Sequence, residues 1–111
     1  MARTTTLAAA APVFAALGDP TRLAIISRLC LEGPLPIVSL TERAKVTRQA
    51  VTKHLEALAE VGLVRSSRDG RERIWTLEPG GLVAASRYLD QISRRWDDRI
   101  ERLRAFVETD D

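Results

Sequence analysis

The sequence contains one cysteine and one histidine among its 111 residues. A single Cys can form neither an internal disulfide nor a Cys-rich zinc site. A single His leaves no pair of general base and orienting group, and no Gly-rich phosphate loop or His/Glu metal motif accompanies it. No apolar run approaches the roughly 20 residues of a membrane-spanning helix. The sequence therefore predicts neither an enzyme nor a membrane protein.

Length and composition indicate one globular domain over residues 1–111. About 45% of the residues are hydrophobic and 29% are charged, which is ordinary for a globular chain and excludes a disordered or fibrous one. The net charge is only +2, but residues 43–73 hold eight bases against four acids, whereas residues 90–111 hold five Arg against seven acids. Positive charge is therefore concentrated in the middle third, which favours a nucleic-acid partner.

Residues 1–18 form an apolar, Ala-rich segment. Arg3 followed by the stretch at residues 7–17 resembles the basic start and apolar centre of a signal peptide. Only one base precedes the stretch, however, and its removal would leave a very small chain with a nucleic-acid-like middle. We therefore expect an apolar first helix that packs on the body of the domain or on a partner chain.

Asp19-Pro20 is typical of a helix start, with Asp as the N-cap and Pro at the first helical position. The pattern predicts a helix over residues 21–31 that Gly33-Pro34 ends. The following residues, 35–37, are too few and too rich in proline for more than an extended link. Helical spacing predicts that the helix buries a stripe formed by Leu23, Ile26, Cys30 and Leu31.

A short helix, a tight turn and a longer helix follow. Ser39 is predicted to cap a helix over residues 40–44, with a capping-box Glu three residues later. Thr47 is predicted to cap a helix over residues 48–60, and Gly62 ends it. This second helix is predicted to bury Val51, Leu55, Leu58 and Ala59, to expose Arg48, Gln49, Thr52 and Lys53, and to carry His54 at the edge.

Two strands are predicted over residues 63–67 and 72–77, joined around residues 68–71, because Asp-Gly is a strong hairpin signal. A helix-turn-helix over residues 39–61 with a basic hairpin directly after it is the pattern of a winged helix-turn-helix. The second helix fits the major groove of double-stranded DNA, and the wing arginines can contact phosphates or the flanking minor groove. The predicted fold class is therefore mainly α (α+β), a winged helix-turn-helix that binds double-stranded DNA.

One long helix is predicted over residues 82–108, and its apolar residues recur at heptad spacing. Such a pattern over three heptads exceeds what one small domain can cover. We therefore expect a seam shared with a second chain; the alternative is a helix that lies along its own core. The heptad lines are Leu82, Leu89, Trp96 and Leu103, and Ala85, Ile92 and Phe106, with Arg99 interrupting the second line and Ile100 beside it.

Two segments resemble one protein family. FAALGDPTRLAIISRLC is similar to the opening of the ArsR-type winged-helix bacterial repressors, and TRQAVTKHLEALAEVGLVRSSRDGRERIWTL resembles their helix-and-wing signature. The resemblance covers about residues 13–107. It implies a homodimer with the first and last helices at the interface, for which we expect Leu7, Val13, Phe14, Leu17, Leu82, Leu89, Ile92, Trp96, Leu103 and Phe106.

The same resemblance implies the DNA-binding residues. Trp75 stands where the family has a strand aromatic, and we expect it to pack in the core rather than to stack on a base. The implied DNA face consists of Thr47, Arg48, Gln49, Thr52, Lys53 and His54, with Gly70 and Arg71 at the wing tip and Arg68 and Arg73 beside it. Among these, Arg48 and Gln49 are expected to read bases, guanine and adenine respectively.

The chain departs from the family's metal-sensing members, which carry Cys-x-Cys in the short helix or Asp and His pairs on the last helix. Residues 38–42 contain no thiol, and the only imidazole belongs to His54 on the recognition helix. We therefore expect the branch without a metal site, with no metal and no cofactor. Cys30 is expected to be a small buried hydrophobe, the alternative being a thiol that senses oxidants; the alternative for His54 is a core position.

Together these features predict a cytoplasmic, dimeric, DNA-binding transcriptional repressor with an inverted-repeat operator. Two alternatives stay open: a winged helix used for protein contact without DNA binding, and a thiol-based redox-responsive repressor that uses Cys30. A small-molecule effector is open as a further partner, with a pocket between the last helices as its site.

Overall fold

The computed structural model describes residues 5–109 of the chain. It contains five helices and a small antiparallel sheet with strand order β1-β3-β2, which is a winged helix-turn-helix, as predicted. The elements are α1 (Leu7–Leu17), α2 (Pro20–Glu32), β1 (Leu35–Pro36), α3 (Ile37–Glu42), α4 (Arg48–Glu60), β2 (Val64–Asp69), β3 (Glu72–Leu77) and α5 (Val83–Thr109). Of the residues before α1, the first four lie outside the described part.

One hydrophobic core joins all five helices and the sheet, with α5 contributing only Ala85 among its buried residues. Its largest fully buried side chain is Trp75 on β3, which is 1% exposed, so its predicted packing role is confirmed. Val51, Leu55 and Leu58 of α4 are buried as predicted, whereas Ala59 is only partly buried. The remaining core members include Val13, Ile25, Ile26, Leu29, Leu40, Leu63, Val64 and Ala85.

The predicted buried stripe of α2 is wrong except for Ile26. The helix buries Ile25, Ile26 and Leu29, while Leu31 is 85% exposed and Leu23 is half-exposed. Cys30 is also exposed, so it is not the buried hydrophobe that we expected. The physical reason is that α2 carries apolar residues on two opposite faces, and helical spacing alone cannot choose which face meets the core.

The segment after α2 is more ordered than the sequence suggests. Leu35 and Pro36 form strand β1, which pairs antiparallel with β3 through Trp75 and Ile74, about 40 residues away. A proline is tolerated here because β1 lies at the edge of the sheet. The strand leads directly into α3, so α3 begins at Ile37 without a side-chain cap, and Ser39 lies inside the helix rather than at its start.

The hairpin is tighter than predicted. Arg68 and Asp69 belong to β2, where they pair with Arg73 and Glu72, and only Gly70 and Arg71 form the loop. Gly70 has a φ of +63°, which favours glycine, and Arg71 does not have a positive φ. This combination is typical of a type II′ turn, whose twist matches that of the strands.

The long helix α5 extends beyond the body of the domain, and the longest dimension of the structure, with α5 included, is 71 Å. Among its described residues only Ala85 is buried. No single helix of residues 5–109 is both long enough and apolar enough to cross a membrane, and α1 with α2 meets those conditions only as a pair bent by 93°.

Candidate nucleic-acid interface

Helix α4 is held at both ends by local hydrogen bonds. The Thr47 hydroxyl accepts from the backbone N–H of Ala50 at the N-terminus. At the other end, the N–H groups of Gly62 and Leu63 donate to the carbonyls of Ala59 and Leu58, which is the bonding pattern of a Schellman motif. Gly62 has a φ of +80° there. The helix therefore presents a defined N-terminal turn to the outside.

The exposed side of α4 is polar and carries two basic residues and one acidic residue. Arg48, Gln49, Thr52, Lys53 and Glu56 line one shallow concave surface, which we call the α4 face. Every large hydrophobic side chain of α4 points to the core, since none is exposed. The hydroxyl of Thr52 donates to the carbonyl of Arg48. Such a surface can donate hydrogen bonds to phosphates and base edges, but it offers no apolar patch to a protein partner.

His54 lies apart from the α4 face, although the sequence grouped it with the DNA-binding residues. At about 100° per residue it projects from the other flank of the buried stripe, and its side chain is 23% exposed. Its Nδ1 lies 3.9 Å from Oδ2 of Asp19 at the start of α2. In the single chain, the charged group beside His54 is therefore a carboxylate of the same chain, and its contact with DNA stays a prediction.

The wing presents two of its arginines freely and uses a third for its own structure. Arg68 and Arg71 are exposed at and beside the turn. Arg73 instead donates from Nε to the hydroxyl of Ser66 at 3.0 Å, and its Cζ lies 4.5 Å from the ring centroid of Trp75. The predicted DNA contact of Arg73 stays a prediction, and in the single chain its guanidinium lies over the ring of the buried Trp75.

Local contacts of two residues hold the α1–α2 corner, and the predicted N-cap role of Asp19 is confirmed. Asp19 caps α2 by accepting from the backbone N–H of Arg22 at 3.0 Å. The Arg22 guanidinium donates from Nε to the carbonyl of Ala16 at 2.6 Å and from Nη2 to that of Ala15 at 3.3 Å. The backbone N–H of Arg22 is the main cause that lowers the pKa of Asp19; burial opposes it to a smaller degree, and the electrostatic influence of His54 and Arg22 lowers the pKa further. The Asp-Pro-Thr-Arg run is the sequence signal for this corner, but it does not indicate that Arg22 bonds back to α1.

Most of the predicted dimer-interface residues are exposed in the single chain. The apolar line of α5 projects into solvent, with Trp96 62% and Phe106 67% exposed. Val13 differs from the rest, because it is buried in the chain's own core and leaves little surface for a partner. The other exposed members are Leu7, Leu82, Leu89, Ile92 and Leu103, while Phe14 and Leu17 are partly buried.

Helix α1 is attached to α5 of the same chain by polar and aromatic contacts. The backbone N–H and carbonyl of Thr5 bond to the side-chain amide of Gln91, at 2.6 and 2.9 Å. The rings of Phe14 and Tyr88 meet edge to face with centroids 6.3 Å apart. The two helices proposed for the interface therefore belong to one packed unit, so a displacement of α5 would also act on α1.

Residues 5–109 contain no group of three or more His, Cys, Asp or Glu side chains arranged to hold a metal ion. The expectation that this protein works without a metal stays a prediction, and elemental analysis of the purified protein tests it. One bound transition-metal ion per chain would contradict it.

Comparison with known proteins shows that nearly the whole chain is similar to transcriptional regulators of known structure. A family model described as a helix-turn-helix domain matches residues 17–67. The HTH-type transcriptional regulator Rv2034 of Mycobacterium tuberculosis is 40% identical over 80 residues, which cover 72% of this chain and 74% of that protein. A solved ArsR-like transcriptional regulator from Rhodococcus sp. RHA1 is 38% identical with a TM-score of 0.75, over 89% of this chain and 92% of its own. The ArsR family regulator RHA00566 has the same TM-score at 28% identity, over 87% and 97%.

Proposed function

The chain belongs to the ArsR-like family of helix-turn-helix transcriptional regulators, and from that premise we propose that this DNA-binding regulator is a homodimeric repressor. Its operator would be an inverted repeat whose half-sites lie about one helical turn, or 10 bp, apart, because a twofold dimer presents its two recognition helices at that spacing. Since its target is double-stranded DNA, its place of action would be the cytoplasm.

The observation that carries this proposal is the division of the surface into two chemically different regions. The α4 face is polar and basic, whereas α5 exposes an apolar line that includes Leu89, Trp96 and Leu103. A contiguous exposed apolar surface of this kind marks an interaction site in a water-exposed protein. We assign the first region to DNA and the second to a second copy of the chain.

Within the DNA interface, the residues divide by role. Arg48 and Gln49 stand in the first turn of α4, where side chains reach base edges, and we assign them to guanine and adenine. Thr47, Thr52 and Lys53 would contact the phosphate backbone around the groove, together with the free N–H groups of the helix N-terminus. Arg68, Gly70 and Arg71 would follow the flanking phosphates or minor groove from the wing.

The mechanism we propose is steric. A dimer bound across a promoter excludes the transcription machinery, and a signal that changes the distance between the two recognition helices releases it. An effector would act through this distance. None of the DNA-binding residues lines the apolar cleft of about 470 Å³ between α2, the base of the hairpin and the start of α5, so that cleft is available to such an effector.

Selection of bound fragments from sheared genomic DNA by the purified full-length protein tests the function. The experiment is run at roughly physiological salt, which suppresses non-specific phosphate binding. Enrichment of one inverted repeat with half-site centres about 10 bp apart is the expected result. Absence of enrichment over random fragments would contradict sequence-specific binding by the free protein and favour a winged helix that docks on another protein.

The exposure of Cys30 favours a second candidate, a repressor that responds to oxidants or electrophiles. A sensing thiol must be accessible, and Cys30 meets that condition. In this case the wild-type protein would release its operator after treatment with peroxide, whereas Cys30→Ser would remain bound. Release by the Cys30→Ser variant would exclude this thiol as the sensor.

A further inference from the structure

Polar groups connect the end of α1 to the recognition helix, through hydrogen bonds at the α1–α2 corner and a longer approach of 3.9 Å to His54. Arg22 holds the last carbonyls of α1 with its side chain, and its backbone N–H donates to Oδ2 of Asp19. The same oxygen faces Nδ1 of His54 on α4. One carboxylate therefore lies between the α1–α2 corner and the helix that reads DNA.

The surroundings of His54 contain few other charges. Its helical neighbours three and four residues away are Ala50, Val51, Ala57 and Leu58, all uncharged. Among the described residues, no carboxylate of α3, of the sheet or of α5 makes an ion pair with His54. The charged groups on the α2 side of His54 are Asp19 and Arg22, whose backbone N–H is bonded to Asp19. Asp19 and His54 are both partly shielded from solvent.

We propose that the Asp19–His54 contact sets the orientation of the recognition helix relative to α1, and thereby the half-site spacing that the dimer accepts. The inference rests on the dimeric DNA-binding function proposed above. His54 is in this view a positioning residue that never touches DNA. It acts through Asp19, which also caps α2 and is bonded to the residue that holds α1.

The protonation state of His54 changes the strength of this contact. A protonated imidazole 3.9 Å from a carboxylate needs to approach by only about 1 Å to form a charge-assisted hydrogen bond. A neutral imidazole gains much less from the same approach. Acidification should therefore hold α4 more firmly in one orientation and sharpen the discrimination between operators of correct and altered spacing.

This behaviour differs from that of a histidine that contacts phosphate directly. Such a histidine would tighten binding to every DNA sequence on acidification, by adding one cation to the interface, and would steepen the salt dependence. Its effect would not need Asp19. The Asp19→Asn variant separates the two mechanisms, because Asn remains a good N-cap for α2 but carries no charge.

The test compares two operators, the selected inverted repeat and the same repeat with one base pair inserted between the half-sites. The ratio of their Kd values is measured near pH 5.5 and pH 7.5 for the wild type, Asp19→Asn, His54→Gln and the double variant. Glu60→Gln serves as the matched control, because it removes an exposed carboxylate from α4 far from His54. Circular dichroism establishes that each variant is folded, and His54→Asn replaces His54→Gln if the latter is not.

In the wild type, the Kd for the operator with the inserted base pair, divided by the Kd for the selected operator, should be at least threefold higher near pH 5.5 than near pH 7.5. The Glu60→Gln control should show the same increase. Asp19→Asn, His54→Gln and the double variant should share one smaller ratio that does not change with pH, since either change removes the same contact. A wild-type ratio independent of pH, or an unchanged pH response in Asp19→Asn, would overturn the inference while leaving the DNA-binding function intact. Failure of the wild type to distinguish its operator from random DNA at either pH would instead contradict the proposed function.

Discussion

Gly81 lies directly against the carbonyl of Gly62. A Cβ atom added at Gly81 would stand 2.5 Å from that oxygen and 3.0 Å from the Cα of Leu63. This close approach connects two parts of the molecule, because Gly62 ends the recognition helix and Gly81 precedes the long helix α5. The start of α5 is therefore seated on the backbone at the end of α4, where any side chain larger than hydrogen would separate them.

Gly81→Ala should destabilise the fold, because the new methyl group meets backbone that cannot rotate away. Forced overpacking of this kind typically costs about 1–3 kcal/mol. Gly80→Ala is the matched control, since a Cβ there meets nothing within 4 Å and its φ is not in the left-handed region. Thermal unfolding followed by circular dichroism should show a lower Tm for Gly81→Ala alone. Equal Tm values for the two variants would contradict the close approach.

Arg22→Ala should weaken the attachment of α1 to α2. The substitution removes both guanidinium bonds to the last carbonyls of α1, and hydrogen bonds from charged donors are each worth about 1.5–3 kcal/mol at most sites, less where solvent reaches them. We expect a loss of about 2 kcal/mol in the free energy of unfolding, measured in urea. Arg102→Ala, on the exposed part of α5, is the control. An equally small loss of unfolding free energy in both variants would show that the α1–α2 corner does not depend on Arg22.

Gln49→Ala and Arg71→Ala should affect DNA binding in different ways. Loss of Gln49 should cost about 1–3 kcal/mol on the operator and relax the preference at one base position, because that side chain is assigned to a base edge. Loss of Arg71 should weaken all sequences alike and reduce the slope of log K against log salt by about 1. Fluorescence anisotropy with operator and random duplexes over a salt series measures both. Identical behaviour of the two variants would show that the roles are wrongly assigned.

Trp96→Asp should convert the protein to a monomer without unfolding it. The Trp96 side chain is 62% exposed in the single chain, so the domain does not need it, whereas a charge in an apolar seam between two helices is strongly unfavourable. Sedimentation velocity should give the monomer mass, and affinity for the inverted repeat should fall toward that for one half-site. Asp98→Ser, off the apolar line of the same helix, should stay dimeric. A dimeric Trp96→Asp protein would place the interface elsewhere.

Asp19 should make the stability of the domain sensitive to acid. Its pKa lies below the ordinary value of about 3.9, chiefly because its carboxylate accepts from the backbone N–H of Arg22. A carboxylate with a lowered pKa stabilises the folded state above its unfolded pKa, and this contribution is lost as the pH falls through the folded value. The difference in urea stability between the wild type and Asp19→Asn should therefore close between about pH 5 and pH 2.5. A constant difference over that range would show that the charge of Asp19 does not contribute.

Local signals in the sequence were sufficient for the elements that depend on near neighbours. Thr47 and Gly62 define the ends of α4 by hydrogen bonds within a few residues, and Val51, Leu55 and Leu58 were recognised as its buried face. The strand Glu72–Leu77 was likewise predicted with its correct bounds. Strand β1 was missed because its partner Trp75 is 40 residues away, and no local pattern indicates such a pairing.

The residues of the candidate site likewise include some that local signals place correctly and others that only the tertiary structure places. Spacing on one helix placed Arg48, Gln49, Thr52 and Lys53 on a common face, and the structure agrees. His54 and Arg73 have the same chemistry as DNA contacts, yet each is turned toward a partner within the chain, Asp19 and Trp75 respectively. A basic residue in a DNA-binding element can serve the fold or the ligand, and only its tertiary neighbours decide between them.

The sequence by itself determined the order of the elements, the bounds of the recognition helix and the concentration of positive charge in residues 43–73, because caps, periodicity and composition act over a few residues. Only the tertiary structure decided which face of α2 enters the core, so that Ile25 and Leu29 are buried while Leu23, Cys30 and Leu31 are exposed. It also decided that Asp19 meets His54. These outcomes depend on how separate elements pack against each other, and packing is a property of the whole chain rather than of any segment.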